Sequence, residues 1–203
     1  MVPGVILAAG HSTRMGTSKP LLFVSPAGPT FVRHLAASLI AGGTADAFVV
    51  GRSDDGELMR ELRACEELGM PMRFVPNPHA DLGQLSSVII GLNAADKPGI
   101  SAVLVTPVDA PLIRPSTVST LIAAFRSSGA PIVRATYRGA HGHPVIFGRA
   151  VFDELRRADP GIGAKSVVRA HEAEMLNLDV DDPGVVHDID GPDDYARIVL
   201  NGP

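Results

Sequence analysis

The chain has 203 residues, 45% of them hydrophobic and 20% charged, which suits one α/β domain spanning 1–203 and leaves little room for a second. At a formal net charge of −4, the basic face usual in a nucleic-acid binder is not evident in the sequence. Cys65 is the only cysteine, so no intrachain disulfide can form, and no apolar run approaches the roughly 20 residues that would cross a membrane.

Strand and helix patterns alternate along the chain. Val2–Ala9 is an apolar run that stops at Gly10, the pattern of a buried parallel strand. No basic region precedes it, so a signal peptide is not expected and the cytoplasm is the predicted location. Thr30–Ala41 has helical spacing, with Phe31, Leu35, Leu39 and Ile40 on one side and Gly42-Gly43 as a stop. Asp46–Gly51 reads as a strand, and Asp54–Leu68 as a helix capped by Asp54 or Asp55 and closed by Gly69. Cys65 falls within that helix and is expected to be a buried structural thiol.

Met72–Val75 is predicted as a strand, Ser86–Ala95 a helix, Ser101–Val105 a strand and Ser116–Ser127 a helix after Pro115. Pro131–Ala135 and Pro144–Phe147 are two strands with no helix between them, so a hairpin or one antiparallel strand is expected there. Helices at Arg149–Ala158 and Ala164–Ala170, a strand at Glu174–Leu178 and a helix at Pro192–Leu200 complete the order. This alternation predicts an α/β fold: three layers, doubly wound and Rossmann-like, around a mostly parallel sheet.

The first strand opens into a small, polar, cationic loop that carries Ser12, Arg14, Gly16, Ser18 and Lys19. Glycines let backbone N–H groups approach an anion, while Arg14 and Lys19 add charge, one as a planar fork and the other as a point. The order fits a strand end that holds a polyphosphate. It is neither common phosphate loop: Lys19 is followed by Pro20 rather than Ser or Thr, and Gly10 and Gly16 are too far apart for a dinucleotide fingerprint.

Leu7-Ala-Ala-Gly-His-Ser-Thr-Arg-Met-Gly-Thr-Ser-Lys19 resembles, position by position, the signature loop of the nucleotidyltransferases with a glycosyltransferase-A-like fold, and among them the molybdenum cofactor cytidylyltransferase branch. The resemblance implies that the loop wraps a nucleoside triphosphate, with Leu7, Ala8, Ala9 and Gly10 contributing backbone and Arg14 and Lys19 on the phosphates, both counted with Asp109 as catalytic.

Val103-Leu-Val-Thr-Pro-Val-Asp-Ala-Pro111 places Asp109 just past a buried strand. In open α/β sheets that end of the strands is where ligands bind, beside the Gly10–Lys19 loop. An Asp in a Pro-rich turn also serves as a plain turn former. In Asp188-Ile-Asp-Gly-Pro-Asp-Asp194, the side chains of Asp188 and Asp190 point the same way because extended chain repeats every two residues. Asp193 and Asp194 sit where carboxylates favour a helix N-terminus, and Asp190 is itself a candidate cap.

Expelling pyrophosphate from a triphosphate calls for a hard cation held by one or two carboxylates and the substrate phosphates. The resemblance implies that Asp109 and either Asp188 or Asp190, with Asp190 favoured, hold Mg²⁺ (Mn²⁺ as the alternative). Gly191 stands where the family carries Thr.

Asn77-Pro-His-Ala-Asp-Leu-Gly-Gln-Leu-Ser-Ser87 leads into a helix, so Gln84, Ser86 and Ser87 are candidates to face a ligand or simply to cap it. In the related branch this segment borders the base and sugar, which implicates Asn77, Gln84, Ser86 and Ser87 in nucleotide binding. His141-Gly-His143 is read as a turn with one hydrogen-bonded His rather than a metal site. The resemblance of Gly142-His-Pro-Val-Ile-Phe147 to a segment of the same branch puts His143 on the acceptor side. Lys165 replaces the arginine of a further matched stretch.

These readings converge on an Mg²⁺-dependent nucleotidyltransferase. The resemblance points to CTP, since Ala9 is Gly in the guanylyl-transferring relatives, to molybdopterin as the phosphorylated acceptor, and to a molybdoenzyme as a protein partner. No nucleic acid or membrane partner is expected. The alternatives are transfer from GTP or another triphosphate to a sugar or polyol phosphate, and a non-catalytic nucleotide-binding module. A dinucleotide-dependent oxidoreductase is disfavoured, because the loop is too long and too basic.

Overall fold

The computed structural model describes residues 1–11 and 15–201, with the backbone alone for 198–201. The expected Arg14 contact therefore lies outside the described residues. Seven strands form one sheet: β1 (Gly4–Leu7), β2 (Ala47–Arg52), β3 (Met72–Asn77), β4 (Ala102–Pro107), β5 (Ile132–Tyr137), β6 (Ala140–Gly148) and β7 (Leu176–Asp179). They lie in the order β3-β2-β1-β4-β6-β5-β7. Only β6 runs against its neighbours β4 and β5; the other pairings are parallel.

The antiparallel strand expected between Pro131 and Phe147 is therefore present and longer than its apolar run. Arg138 and Gly139 join β5 to β6 with φ of 50° and 80°, the left-handed pair that a two-residue primed turn requires. The strand can start at Ala140 because the tight turn brings the polar residues before Pro144 into register.

The helices are α1 (Phe31–Ala41), α2 (Gly56–Glu67), α3 (Gln84–Ala95), α4 (Pro115–Ser128), α5 (Phe152–Arg157), α6 (Lys165–Ala170) and α7 (Pro192–Asn201). Their boundaries follow capping chemistry. Thr30 accepts from the Arg33 amide at α1, and of the two candidate caps of α2 it is Asp55 that accepts from the Leu58 amide, at 2.9 Å. Gly69, with φ of 79°, closes α2 as its position after the apolar pattern predicts. The expected helix at 149–158 starts as a 3-10 turn, Arg149–Val151, before becoming α5.

The sheet is covered on both faces. Ile6, Val49, Leu104 and Val133 pack under α1, α2 and α4, while Val5, Val50, Val103 and Phe147 pack under α3, α5 and α6. Phe31, Leu35, Leu39, Leu58 and Leu121 are fully buried, each contributing roughly 1.5–3 kcal/mol of transfer free energy. Among the described residues, no helix is long and apolar enough to cross a membrane.

Two further features position the site. Strand order reverses direction at β1, between β2 and β4, which opens a crevice at their carboxyl ends. The chain between β7 and α7 then folds back over that crevice. It is fastened by Asp182, a buried residue that accepts from the Arg114 amide at 2.9 Å, the Thr117 hydroxyl at 2.6 Å and the Gly184 amide at 3.0 Å.

Candidate active site

A cleft of about 540 Å³ occupies the crevice. Its floor is the end of β1 and the turn after it: Leu7, Ala8, Ala9 and Gly10. The Ala8 amide is engaged by the Val50 carbonyl at 2.8 Å, a one-residue continuation of the β1–β2 ladder. Backbone donation from Ala8 to a ligand is thus replaced by a sheet bond. The Ala9 and Gly10 amides have no acceptor among the described residues and remain donors at the cleft floor.

One wall carries the charged centre. Lys19, at the start of a 3-10 turn, places Nζ 3.3 Å from Asp109 Oδ2 and 3.3 Å from Asp190 Oδ1. These three residues are 90 and 171 positions apart in sequence, and the fold gathers them at one point. The Asp109 carbonyl also accepts from the Ile189 amide at 2.8 Å, so the two carboxylate-bearing segments are joined through their backbones.

Asp190 is relieved of capping duty. The Asp194 carboxylate accepts from the amides of Asp190 and Gly191 at 3.3 and 3.2 Å, closing the start of α7, as its place at a helix N-terminus predicts. Asp188 stands one alternation away, separated by the fully buried Ile189. Partial burial raises its carboxyl above the ordinary range, and the charges of Asp109 and Asp190 raise it further, although the side chain keeps an exposed face. All three carboxylates therefore lie within electrostatic reach of one another.

The donor set fits a hard divalent cation. Two carboxylates converge on one cationic position, and no cage of three or more metal-binding side chains exists among the described residues. A magnesium-type ion that completes its shell with water and phosphate oxygens needs no more protein ligands than this.

The other wall is the start of α3. Gln84 and Ser87 line the cleft beside Gly83, whose φ of 91° turns the chain into the helix without a side-chain cap. Asn77 and Ser86, expected as direct ligand contacts, are not among the residues that line the cleft. Asn77 is buried and its amide group donates to the Ser86 and Ser87 hydroxyls at 2.9 Å each, while Ser86 Oγ donates to the Gly83 carbonyl at 2.8 Å. Their geometry orients Ser87 and braces the turn.

At the mouth, His11 Nε2 lies 2.9 Å and Arg52 Nη1 3.0 Å from Asp81 Oδ1. The Arg52 guanidinium first, and then His11, hold the Asp81 carboxyl below its usual range. Sequence reasoning missed this cluster, which ties the glycine turn to the turn before α3. Its one signal is a histidine directly after Gly10, where the apolar run stops.

His143 lies in a second, contiguous cavity of about 470 Å³ that shares Leu7 and Gln84 with the cleft. Burial lowers its pKa, opposed by the charge of Asp109 and reinforced by that of Arg134. The imidazole lines the second cavity within electrostatic reach of Asp109.

Residues 4–175 match the family model of the MobA-like NTP transferase domain. The chain is 32% identical over 182 residues to the bifunctional protein GlmU of Xanthobacter autotrophicus, covering 86% of this chain and 38% of GlmU. It is 34% identical over 134 residues to a probable molybdenum cofactor guanylyltransferase of Rhodopirellula baltica, covering 65% of this chain and 59% of that protein. The chain thus spans between two fifths and three fifths of these relatives. Among solved structures, Rv0371c of Mycobacterium tuberculosis superposes with a TM-score of 0.79 at 26% identity over 98% of both chains. The same protein has also been solved in complex with manganese, at a TM-score of 0.69 and 25% identity.

Proposed function

This chain belongs to the MobA-like NTP transferase family and is a nucleotidyltransferase, and from that membership we propose that it transfers CMP from CTP to molybdopterin as a single domain acting in the cytoplasm. A phosphate oxygen of the acceptor attacks the α-phosphorus of CTP. A new P–O–P bond forms, the α–β bond breaks, and pyrophosphate leaves. The observation that carries the reading is the convergence of Lys19, Asp109 and Asp190, with 3.3 Å between the ammonium and each carboxylate.

Little covalent chemistry is asked of the protein in such a transfer; placement and charge carry the rate. The Ala9 and Gly10 amides and the Lys19 ammonium receive the triphosphate, with Arg14 expected to join them. Gln84 and Ser87 border the base and sugar, with Ser87 oriented by Asn77. Asp109 and Asp190, with Asp188 beside them, would hold Mg²⁺, or Mn²⁺ in its place, which supplies positive charge to the phosphates when bound. That Rv0371c has been solved in complex with manganese supports the use of a divalent ion. His143, kept neutral by burial, faces the acceptor side.

Ala9 in place of glycine favours CTP. GTP is the second reading, favoured by the similarity to the guanylyltransferase of Rhodopirellula baltica; with it goes a sugar or polyol phosphate as the alternative acceptor. A molybdoenzyme that takes up the product fits the first reading. Mass spectrometry of products formed from each of CTP, GTP, ATP and UTP with molybdopterin and Mg²⁺ tests the assignment. A cytidine dinucleotide is expected; a guanosine product alone would overturn the base preference.

A further inference from the structure

The second cavity is shaped by a change of chemistry along one face of the sheet. Side chains alternate across a strand, so Phe147, Val145, His143 and His141 of β6 share a face, as do Ile132 and Arg134 of β5. At the covered end these are Ile132 and Phe147, packed under α5 and α6. At the open end the same rows become Arg134, His143 and His141, between the start of α3 and the helix α6. An apolar floor of Val88, Val145 and Phe147 is thus continued by a cationic rim of Arg134, Lys165 and Arg169.

Arg134 differs from the other two cations. Lys165 and Arg169 are exposed at the lip, whereas Arg134 is half-buried and is held by its parallel partner strand. Arg134 and Asn177 are in register between β5 and β7, and Arg134 Nε donates to Asn177 Oδ1 at 3.0 Å. The ladder shifts register just after Arg134, between Arg134 and Thr136, the kind of irregularity that re-aims side chains beside binding sites. The guanidinium's Nη groups have no hydrogen-bond partner among the described residues, although Glu172 exerts charge on it. Nearby, the buried His143 Nδ1 is also without a partner. A planar fork, already oriented and partly desolvated, at the edge of an apolar floor is suited to bidentate capture of a phosphate.

We propose that Arg134, positioned by Asn177, is the specificity-determining residue for the acceptor, anchoring a phosphomonoester in the second cavity while the rest of the acceptor lies against Val88, Val145 and Phe147. The inference rests on the transferase reading and adds to it the residue and the chemical class. Lys165 and Arg169 screen the anion from the lip.

The test measures binding of molybdopterin, glucose 1-phosphate and glycerol 3-phosphate, with glucose and glycerol as phosphate-free counterparts, to the wild-type protein and to Arg134→Gln and Arg134→Lys. Mg·CTP binding and thermal melting are recorded alongside. The expected result is that at least one phosphomonoester binds the wild type in preference to its counterpart and loses roughly 10–100-fold in affinity in Arg134→Gln, the scale of a charged bidentate contact. Arg134→Lys should fall between, because it keeps the charge and loses the fork, and Mg·CTP binding and melting should be unchanged in both. Absence of phosphomonoester binding to the wild type, or equal binding to Arg134→Gln, would overturn the proposal. A wild type that takes phosphomonoesters but no Mg·NTP would instead overturn the transferase reading beneath it.

Discussion

The Ile189 amide donates to the Asp109 carbonyl at 2.8 Å. Through this bond the segment after β7 is registered on the segment after β4, and the Asp190 carboxylate, one residue on, arrives beside Asp109 over Lys19. Two acidic groups far apart in sequence are set against each other by backbone, and Lys19 joins their side chains.

Asp109→Asn and Asp190→Asn each remove a carboxylate from a charged centre whose work is electrostatic. Turnover should fall on the order of 10²–10³, the scale of losing one preorganised charge-stabilising group, with melting temperature unchanged or raised as like-charge repulsion is relieved. Asp188→Asn should cost less, because Asp188 lies outside the lining of the cleft. Steady-state pyrophosphate release by the three variants gives the ranking.

Lys19→Ala removes the ammonium between the two carboxylates and, in the proposed reaction, a phosphate contact. Nucleotide affinity should weaken by about 10–100-fold, corresponding to roughly 1.5–3 kcal/mol for a charged hydrogen bond. Titration calorimetry with Mg·CTP reads this directly, and an unchanged affinity would count against the phosphate role.

Much of this was legible in the sequence. The apolar run into Gly10 marks β1, the run into Asp109 marks β4, and both place their ligands at strand ends. The duty of Asp194 follows from its place three residues into a helix. Asn77 and Ser86 were not legible in this way: a polar run before a helix has the same composition whether its side chains face a ligand or one another, and only the folded geometry separates Ser87, which lines the cleft, from Ser86. Arg134 was hidden for a related reason, since one arginine in a strand reads as a solvated edge until Asn177 of a distant strand is found opposite it. His11, Arg52 and Asp81 come from the turn after β1, the end of β2 and the turn before α3, and no local pattern links them.

Asp182→Ala should destabilise the fold by about 3 kcal/mol, because it leaves three donors without their acceptor in a buried place. The expected fall in melting temperature is roughly 6–12 °C. Asp182 touches none of the cleft residues, so surviving folded protein should retain Mg·CTP binding.

Asp96 gives a pH signature. Its carboxylate lies 2.6 Å from Arg156 Nη2 and 2.8 Å from Arg149 Nη1. The Arg156 bond chiefly holds its pKa below the ordinary 3.8, with the Arg149 and Arg156 charges adding to it against the opposing effect of burial. A depressed folded pKa means that the stabilisation is fully present above the unfolded value and disappears as pH falls through the folded one. With both arginines partly exposed, the contribution is about 1 kcal/mol. Melting curves of wild type and Asp96→Asn should differ at pH 7 and pH 5, and the gap should close well below pH 3.8.

The role of the acidic centre is decided by pyrophosphate release with CTP, Mg²⁺ and molybdopterin, measured for the wild type and for Asp109→Asn and Asp190→Asn in parallel. Release by the wild type should require the acceptor and the metal, and it should be lost almost completely in both variants while they remain folded. Release by Asp109→Asn and Asp190→Asn at the wild-type rate would contradict the assignment of this acidic centre.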